Sequence, residues 1–294
     1  MPSASRKTVR QTDRPTDRRT DRPTDRRTDG QTDRPAALVT GGARRIGRAL
    51  VERLAADGFD IAIHCHHSEA DAIALCRDLR ERHPGIDCGV FTADLSTLSD
   101  TAALIDAVGR SFPGLSVLVN NAAVYRRAPL ADTDDALLDE AWRVNVRAPL
   151  VLAREFARFL GTKKGATGRI VNILDCRIAA PRPNEFAYEF SKRALAAATE
   201  LLARELAPAV LVNAVAPGSV LAPDHAATAP SHQSLFRTAH TSSPAAAPDP
   251  AGTPLLGRHP TPEDVAEAVS SFARATMVTG QILYLDGGLR LSRP

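Results

Sequence analysis

Short apolar segments that alternate with helical segments restrict the fold of this chain more than any other feature of the sequence. Helical runs extend from about Ile46 to Asp57 and from Glu69 to Arg82, and each ends at a glycine or proline turn. Strands that alternate with helices indicate a parallel sheet covered by helices on both faces. The sequence therefore predicts an α/β fold, a single-domain doubly wound parallel sheet (Rossmann fold) of about seven strands. The predicted strands are residues 36–40, 60–65, a segment that ends at 92–94, and then 116–120, 169–174, 210–215 and 281–285.

Residues 1–35 differ in composition from the rest of the chain. From residue 12 they repeat Thr-Asp-Arg-Pro/Arg with a period of four and offer no apolar side chain to a core. Such a segment cannot offset its loss of conformational entropy, so we expect it to be disordered. It is either a basic interaction arm or a stretch upstream of the true start codon. The folded domain is predicted to span residues 36–294, with an irregular substrate loop at 221–257.

The charge and the cysteines exclude several classes of protein. Residues 1–35 hold ten of the 37 basic and six of the 34 acidic residues, so the remainder is near neutrality and does not suit nucleic acid. The four cysteines form no C-x-x-C pair, which predicts reduced thiols in a cytoplasmic protein. No apolar run reaches the roughly 18 residues of a membrane span, so no membrane partner is expected.

A glycine-rich turn, Thr40-Gly41-Gly42-Ala43-Arg44-Arg45-Ile46-Gly47, follows the first predicted strand directly. Glycines there allow a tight turn and let the backbone approach a pyrophosphate, whose charge suits the N-terminus of the next helix. The alternative is a glycine-rich turn without a ligand. We predict that the turn binds a dinucleotide through Gly41, Arg44, Arg45, Ile46 and Gly47.

The end of the second strand favours NADPH as that dinucleotide. An NAD site usually carries an acidic residue here for the ribose 2′-hydroxyl, but no acid precedes Glu69. Imidazole, hydroxyl and guanidinium groups suit a 2′-phosphate instead. Three histidines so close together could also bind a metal ion. We do not predict a metal site, because no convergent carboxylate is evident. The predicted phosphate ligands are His64, His66, His67 and Ser68, with Arg44 and Arg45 nearby.

Tyr188 and Lys192 stand four residues apart in a run that reads as a helix, so both side chains lie on one face. An ammonium group beside a phenol lowers the pKa of the phenol and suits a general acid or base. The predicted strand at 169–174 delivers Asp175 at its carboxyl end, where parallel sheets bind ligands. The alternative is a tyrosine and a lysine on an ordinary surface helix.

From Ala36 to Ser292 the chain resembles the short-chain dehydrogenase/reductase family. The resemblance implies that Asp94 and Leu95 contact the adenine, that Asn120 contacts the adenosine side and that Lys192 binds the nicotinamide ribose. It also implies that Asn145 supports a proton-relay water, and that the protein is a homotetramer. Further cofactor contacts are predicted at Ala122, Pro217, Gly218 and Ser219. The matching motifs are the turn at 40–47, Asp94-Leu95, Asn120-Asn121-Ala122-Ala123, Asn145, Tyr188 with Lys192, Pro217-Gly218, Thr279-Gly280-Gln281 and Asp286-Gly287-Gly288.

Two departures from the family pattern point to a branch. Arg45 replaces the middle glycine of the turn, and Asp175 replaces the catalytic serine. Both changes, with His-x-His-x-Ser on the second strand, resemble the pteridine reductases. That resemblance implies that Asp175 and Tyr188 deliver a proton, that Arg45 reaches cofactor phosphate and pterin, and that Tyr125 stacks on the pterin. Ala123 stands where the branch often has a serine.

The sequence thus predicts an NADPH-dependent reductase of a small-molecule pterin or folate, with Tyr188 and Asp175 as proton donors and Lys192 and Asn145 in support. One alternative is a carbonyl reductase for a keto-acyl, quinone or sugar substrate. The other is a protein that binds NADPH as a sensor without catalysis, in which Asp175 has simply replaced serine.

Overall fold

One sheet organises the described part of the molecule. The computed structural model describes residues 10–12, by their backbone alone, together with 34–220 and 253–291. Within these ranges the sheet has eight strands in the order β1-β4-β3-β2-β5-β6-β7-β8, all parallel to their neighbours except β1. The strands are β1 (Arg10–Thr12), β2 (Ala36–Val39), β3 (Asp60–Cys65), β4 (Cys88–Thr92), β5 (Leu115–Asn120), β6 (Gly168–Ile173), β7 (Val210–Pro217) and β8 (Ile282–Leu285).

Helices cover both faces of the sheet. Alternate residues of each strand face opposite layers, so Val39 packs into one core and Leu38 into the other. The first core joins the sheet to α1, α2 and α7, and the second joins it to α3, α5 and the end of α6. The helices are α1 (Arg45–Ala56), α2 (Glu69–Arg82), α3 (Leu98–Ser111), α4 (Asp135–Trp142), α5 (Ala148–Gly161), α6 (Phe186–Leu206) and α7 (Pro262–Arg274).

The predicted doubly wound parallel sheet of seven strands is confirmed as β2 to β8. The structure adds β1, whose residues were predicted to be disordered; Arg10–Thr12 pairs antiparallel with the exposed edge of β4. An edge strand presents unpaired backbone groups, which such a short segment can satisfy without any core. The rest of the predicted disordered repeat, and residues 221–252 of the predicted substrate loop, lie outside the described residues.

The strand order places a crevice at the centre of the sheet. The chain runs from β2 outward to β3 and β4, then returns to β5 on the other side of β2. Loops after β2 and β5 therefore diverge, and the carboxyl ends of these strands are where such sheets bind ligands. Among the described helices, none has both the length and the apolar character needed to cross a membrane.

Candidate active site

A cleft of about 520 Å³ opens at the carboxyl ends of β2 and β5. It lies between the glycine turn and the segment that follows β5, so the topological crevice is a real cavity. Asn121, Ala123, Val124 and Val144 also line it. The predicted ligand-binding residues in its lining are Gly41, Arg44, Arg45, Ile46, Gly47, His64, His66, Asp94, Leu95, Ala122 and Tyr125.

The glycine turn has a shape that only small residues allow. Gly41 adopts a φ of +62°, a left-handed conformation that side chains disfavour. A Cβ on Gly47 would collide with the carbonyl oxygen of Gly41. Asn121, the residue after β5, holds the turn, since its amide donates to the carbonyl oxygens of Thr40 at 2.8 Å and Gly41 at 3.1 Å. The backbone is thus kept bare and fixed where a pyrophosphate would approach.

His64 supports the turn from inside the protein. Its Nδ1 accepts from the Gly41 amide at 3.2 Å, and its Nε2 lies 3.1 Å from the carbonyl oxygen of Ala93. Burial lowers the pKa of His64 to about 4, so the ring is neutral at physiological pH. This corrects the prediction that His64 binds a phosphate directly, because both ring nitrogens are already engaged. His66 is exposed and stacks on His67 with 3.6 Å between ring centroids.

Asn120 also has a different position from the one predicted. It is 3 % exposed, and its amide donates to Asn172 on β6 at 2.9 Å. Asn120 therefore joins two strands within the sheet, and the neighbouring Asn121 faces the cleft instead. Because side chains alternate along a strand, a shift of one residue moves the amide from the cleft to the interior.

Among the other predicted cofactor residues, Asp94 and Leu95 line the cleft. Asp94 accepts hydrogen bonds from the Ser96 amide at 2.9 Å and the Thr97 hydroxyl at 3.3 Å, which contribute to a lowered pKa, against the effect of burial. Ser68 precedes α2, Pro217 is the last residue of β7, and Gly218 and Ser219 follow it. All the other predicted cofactor contacts stay predictions, and these four residues, His67 and Lys192 lie outside the described cleft lining.

Arg45 is exposed and adopts a φ of +52°, which non-glycine residues rarely do. Such strain costs roughly 1–2 kcal/mol and usually marks a functional position. Arg44, its neighbour, has an ordinary φ of −139° and donates to Asp71 at 2.6 Å. The turn thus places two guanidinium groups at the cleft, and only Arg45 imposes backbone strain.

Replacing Arg45 by glycine should not destabilise the protein. Relief of left-handed strain, roughly 1–2 kcal/mol, exceeds the roughly 0.5–1 kcal/mol that glycine adds in unfolded-chain entropy. We expect an unchanged or slightly higher free energy of unfolding by urea denaturation, together with weaker NADPH binding. Arg44→Gly is the matched control and should lower stability, since no strain is relieved there. A lower free energy of unfolding for Arg45→Gly would contradict this account.

Asp175 and Tyr188 meet at the end of β6. The Tyr188 hydroxyl donates to Asp175 Oδ2 at 3.1 Å. Burial and the Asp175 carboxylate raise the pKa of Tyr188 well above its usual value. The prediction that Lys192 lowers this pKa is therefore corrected: in the protein alone, burial and the carboxylate dominate. The Tyr188 hydroxyl therefore keeps its proton at physiological pH.

Lys192 is 3 % exposed and donates to the carbonyl oxygen of Ile173 at 2.7 Å. Its Nζ lies 5.8 Å from the centroid of the Tyr188 ring. Burial lowers the pKa of Lys192 to about 8, although Asp175 acts in the opposite direction. Tyr188 and Lys192 therefore lie close together, as their four-residue spacing predicts.

The lowered pKa of Lys192 should be measurable as a pH dependence of stability. Above pH 8 the folded protein loses this proton, whereas the unfolded chain holds it to its ordinary pKa of 10.5. Stability should therefore rise between these pH values, by up to about 1.4 kcal/mol per unit. Urea denaturation at pH 8 and pH 10 should show this rise relative to Lys192→Met. Parallel pH curves for the two proteins would contradict the shift.

Asn145 lies in a π-helical segment, Arg143–Arg147, between α4 and α5. Its side-chain oxygen accepts from the Val124 amide at 2.8 Å, and its amide donates to the Val124 carbonyl at 2.9 Å and to Ser191 at 3.0 Å. The side chain therefore fixes the segment that carries Tyr125. Support of a relay water by Asn145 stays a prediction.

Arg177 and Glu185 belong to this site, and the sequence analysis did not identify them. Glu185 is 2 % exposed and pairs with Arg177, which lies 3.8 Å from Asp175 (Nε to Oδ1). Tyr125 donates to Glu185 at 2.7 Å, and its ring meets the Tyr188 ring edge-on with 4.9 Å between centroids. The only signal in the sequence is an Arg two residues after Asp175 and a Glu three residues before Tyr188.

The doubly wound fold, the bare glycine turn and the Asp175–Tyr188–Lys192 group together define an oxidoreductase that uses a dinucleotide. The chain belongs to the short-chain dehydrogenase family, whose model matches residues 35–233. The resemblance seen in the motifs is thereby confirmed at the level of the family.

Individual relatives differ in what they act on. The chain is similar to the FolM alternative dihydrofolate reductase 1 of Brucella canis, solved with NADP, at 32 % identity and a TM-score of 0.75, over 90 % of this chain and 97 % of that one. Pteridine reductase 1 of Leishmania tarentolae is 29 % identical over 88 % of this chain and 97 % of its own. Acetoin dehydrogenase of Enterobacter cloacae is 30 % identical with a TM-score of 0.74, over 89 % and 98 %.

Proposed function

We propose that the protein is an NADPH-dependent reductase that converts a dihydropterin or dihydrofolate to the tetrahydro form. The observation that carries the proposal is the hydrogen bond from Tyr188 to Asp175, a carboxylate where the family has a serine. Similarity to a FolM reductase and to a pteridine reductase supports the same substrate class.

The cleft fits NADPH in shape and charge. The bare backbone of Gly41 and Gly47 at the start of α1 would hold the pyrophosphate. Arg44, Arg45 and His66 would surround the 2′-phosphate end, and Asp94 and Leu95 the adenine. Bound NADPH would supply the hydride.

Tyr188 would supply the proton to the ring nitrogen next to the carbon that is reduced. Its raised pKa keeps the hydroxyl protonated until a stronger base, the reduced ring, is beside it. Lys192 would stabilise the phenolate that remains, because its ammonium group lies 5.8 Å from the ring centroid. Asp175 orients the hydroxyl and would form hydrogen bonds with the donors of the pterin.

Tyr125 would provide a flat wall for the substrate. Its side chain is 46 % exposed and lines the cleft beside Tyr188. A pterin is a flat, polar heterocycle, so an aromatic face with a carboxylate and a guanidinium at its edge matches its chemistry. Arg45, which also lines the cleft, is the guanidinium proposed to reach it.

The test is the oxidation of NADPH by wild-type protein with dihydrobiopterin, dihydromonapterin and dihydrofolate, beside a panel of small ketones. Turnover of at least one dihydropterin or dihydrofolate, with far lower activity on ketones, is the expected result. Turnover of ketones alone would replace the proposal with the carbonyl reductase alternative. The similarity to acetoin dehydrogenase is the observation that favours that alternative.

We also propose the homotetramer that the family resemblance implies. Stacked, partly exposed aromatic side chains on α4 and α6 support it: Trp142, Phe190 and Phe186 are 44 %, 51 % and 41 % exposed. Light scattering after gel filtration should give four times the chain mass; a monomer would exclude this assembly.

A further inference from the structure

Five side chains around the proposed proton donor form a closed ring of contacts. The Tyr188 hydroxyl donates to Asp175, and the Asp175 carboxylate lies beside the Arg177 guanidinium. Arg177 forms an ion pair with Glu185, which also accepts a hydrogen bond from Tyr125. The Tyr125 ring contacts the Tyr188 ring and closes the ring of contacts. The backbone amide of Arg177 also donates to Asp175 at 2.9 Å. Each member is thus held from two sides, and the proton donor and the substrate wall belong to one network.

Glu185 is a buried carboxylate whose side chain does not cap the helix that follows it. It stands at the N-cap of α6, where a carboxylate normally accepts from the first free amides of the helix. Its side chain makes no such bond and turns instead to Tyr125 and Arg177, with the Arg127 guanidinium 3.7 Å away. A buried carboxylate is costly unless it is paired, and the contacts with Arg177 and Tyr125 offset that cost here.

The contacts with Glu185 and Arg177 constrain the orientation of the Tyr125 side chain. The ring is about half exposed, so packing alone does not determine its orientation. Its hydroxyl is held by Glu185 at 2.7 Å, and the Arg177 guanidinium carbon lies 5.8 Å from the ring centroid. The backbone of Val124, bonded to Asn145, fixes the other end of the residue.

We propose that Glu185 and Arg177 are positioning residues, which hold the Tyr125 ring against Tyr188 and couple it to Asp175. A flat substrate then lies where the Tyr188 hydroxyl can protonate it. The kinetic part of this inference rests on the proposed reduction of a pterin, whereas the orientation of Tyr125 does not.

The test uses Glu185→Gln in protein labelled with fluorotyrosine. The chain has three tyrosines, Tyr125, Tyr188 and Tyr284, so each fluorine resonance can be assigned by replacement with phenylalanine. In the variant the Tyr125 resonance should shift and titrate at lower pH, because Glu185 contributes to the raised pKa of Tyr125. The KM for the dihydropterin should rise about tenfold, with a smaller change in kcat.

Glu189→Gln is the matched control. Glu189 lies one turn further along α6, is 7 % exposed and accepts from the Arg182 amide at 2.6 Å, outside the ring of contacts. This variant should keep the wild-type KM and Tyr125 resonance. Glu185→Gln keeps an oxygen that can accept from Tyr125 but loses the charge that pairs with Arg177. Tyr125→Phe removes the hydrogen bond itself and keeps the ring, so it should show the same rise in KM even if Glu185→Gln does not fold.

A wild-type KM in both Glu185→Gln and Tyr125→Phe would overturn the inference, as would an unmoved Tyr125 resonance in Glu185→Gln. If the wild-type protein reduces no pterin or folate, the proposed function fails by itself. The fluorine resonance and its pH titration then still decide whether Glu185 positions Tyr125.

Discussion

Replacing Tyr188 by phenylalanine is expected to lower kcat by about 10²–10⁴-fold, the usual contribution of a general acid. The hydroxyl that bonds to Asp175 at 3.1 Å is the only atom lost, and the ring that contacts Tyr125 remains. NADPH affinity should change little, because the glycine turn and its arginines are untouched. Steady-state kinetics and NADPH titration by fluorescence measure the two quantities separately.

The matched control is Tyr284→Phe, the same chemical change outside the site. Tyr284 lies on β8, where its ring packs 4.3 Å from the Arg290 guanidinium, a contact that phenylalanine keeps. Wild-type activity is expected for this variant. Retained turnover in Tyr188→Phe would remove Tyr188 from the role of proton donor.

Replacing Asp175 by serine, the residue usual in the family, should abolish most pterin reduction. We expect kcat/KM for the dihydropterin to fall by about 10²-fold or more, since the carboxylate proposed to form hydrogen bonds with the substrate is lost. Loss of the carboxylate also removes one cause of the raised pKa of Tyr188 and leaves Arg177 paired with Glu185 alone. Kinetics with a dihydropterin and with acetoin would be compared.

Asp175→Asn separates charge from shape in the same position. The amide oxygen can still accept from Tyr188, so the hydroxyl should stay in place while the negative charge is lost. Pterin reduction should fall in both variants, and activity on acetoin should fall less. Unchanged pterin kinetics in Asp175→Ser would mean that Asp175 gives no evidence for a pterin substrate.

The sheet could be predicted because its signals are local. The strand Asp60–Cys65 and the helix Glu69–Arg82 have the bounds that their apolar patterns predict. Helices α3 and α7 were not assigned, although α7 carries a visible signal: Thr261 and Asp264 form a capping box. β1 could not be predicted, since its order comes from the edge of β4 and not from its own residues.

The site also contains residues that the sequence identifies and residues that it does not. Tyr188, Lys192 and Asp175 could be identified because spacing on a helix and the end of a strand place them. His64 and Asn120 were given the wrong contacts, because the sequence does not show which partners occupy a buried polar group. Arg177 and Glu185 meet only when the segment after β6 folds back on the start of α6. Such pairings depend on tertiary structure and leave no periodic signal.

The most direct test of the central claim follows the hydride into the product. Wild-type protein would be supplied with NADPH that carries deuterium at the transferable position, together with a dihydropterin, and the pterin product would be examined by mass spectrometry. The account predicts a tetrahydropterin that carries one deuterium on a ring carbon. Oxidation of NADPH without deuterium in the pterin would contradict it, as would deuterium found only in the alcohol when acetoin is added.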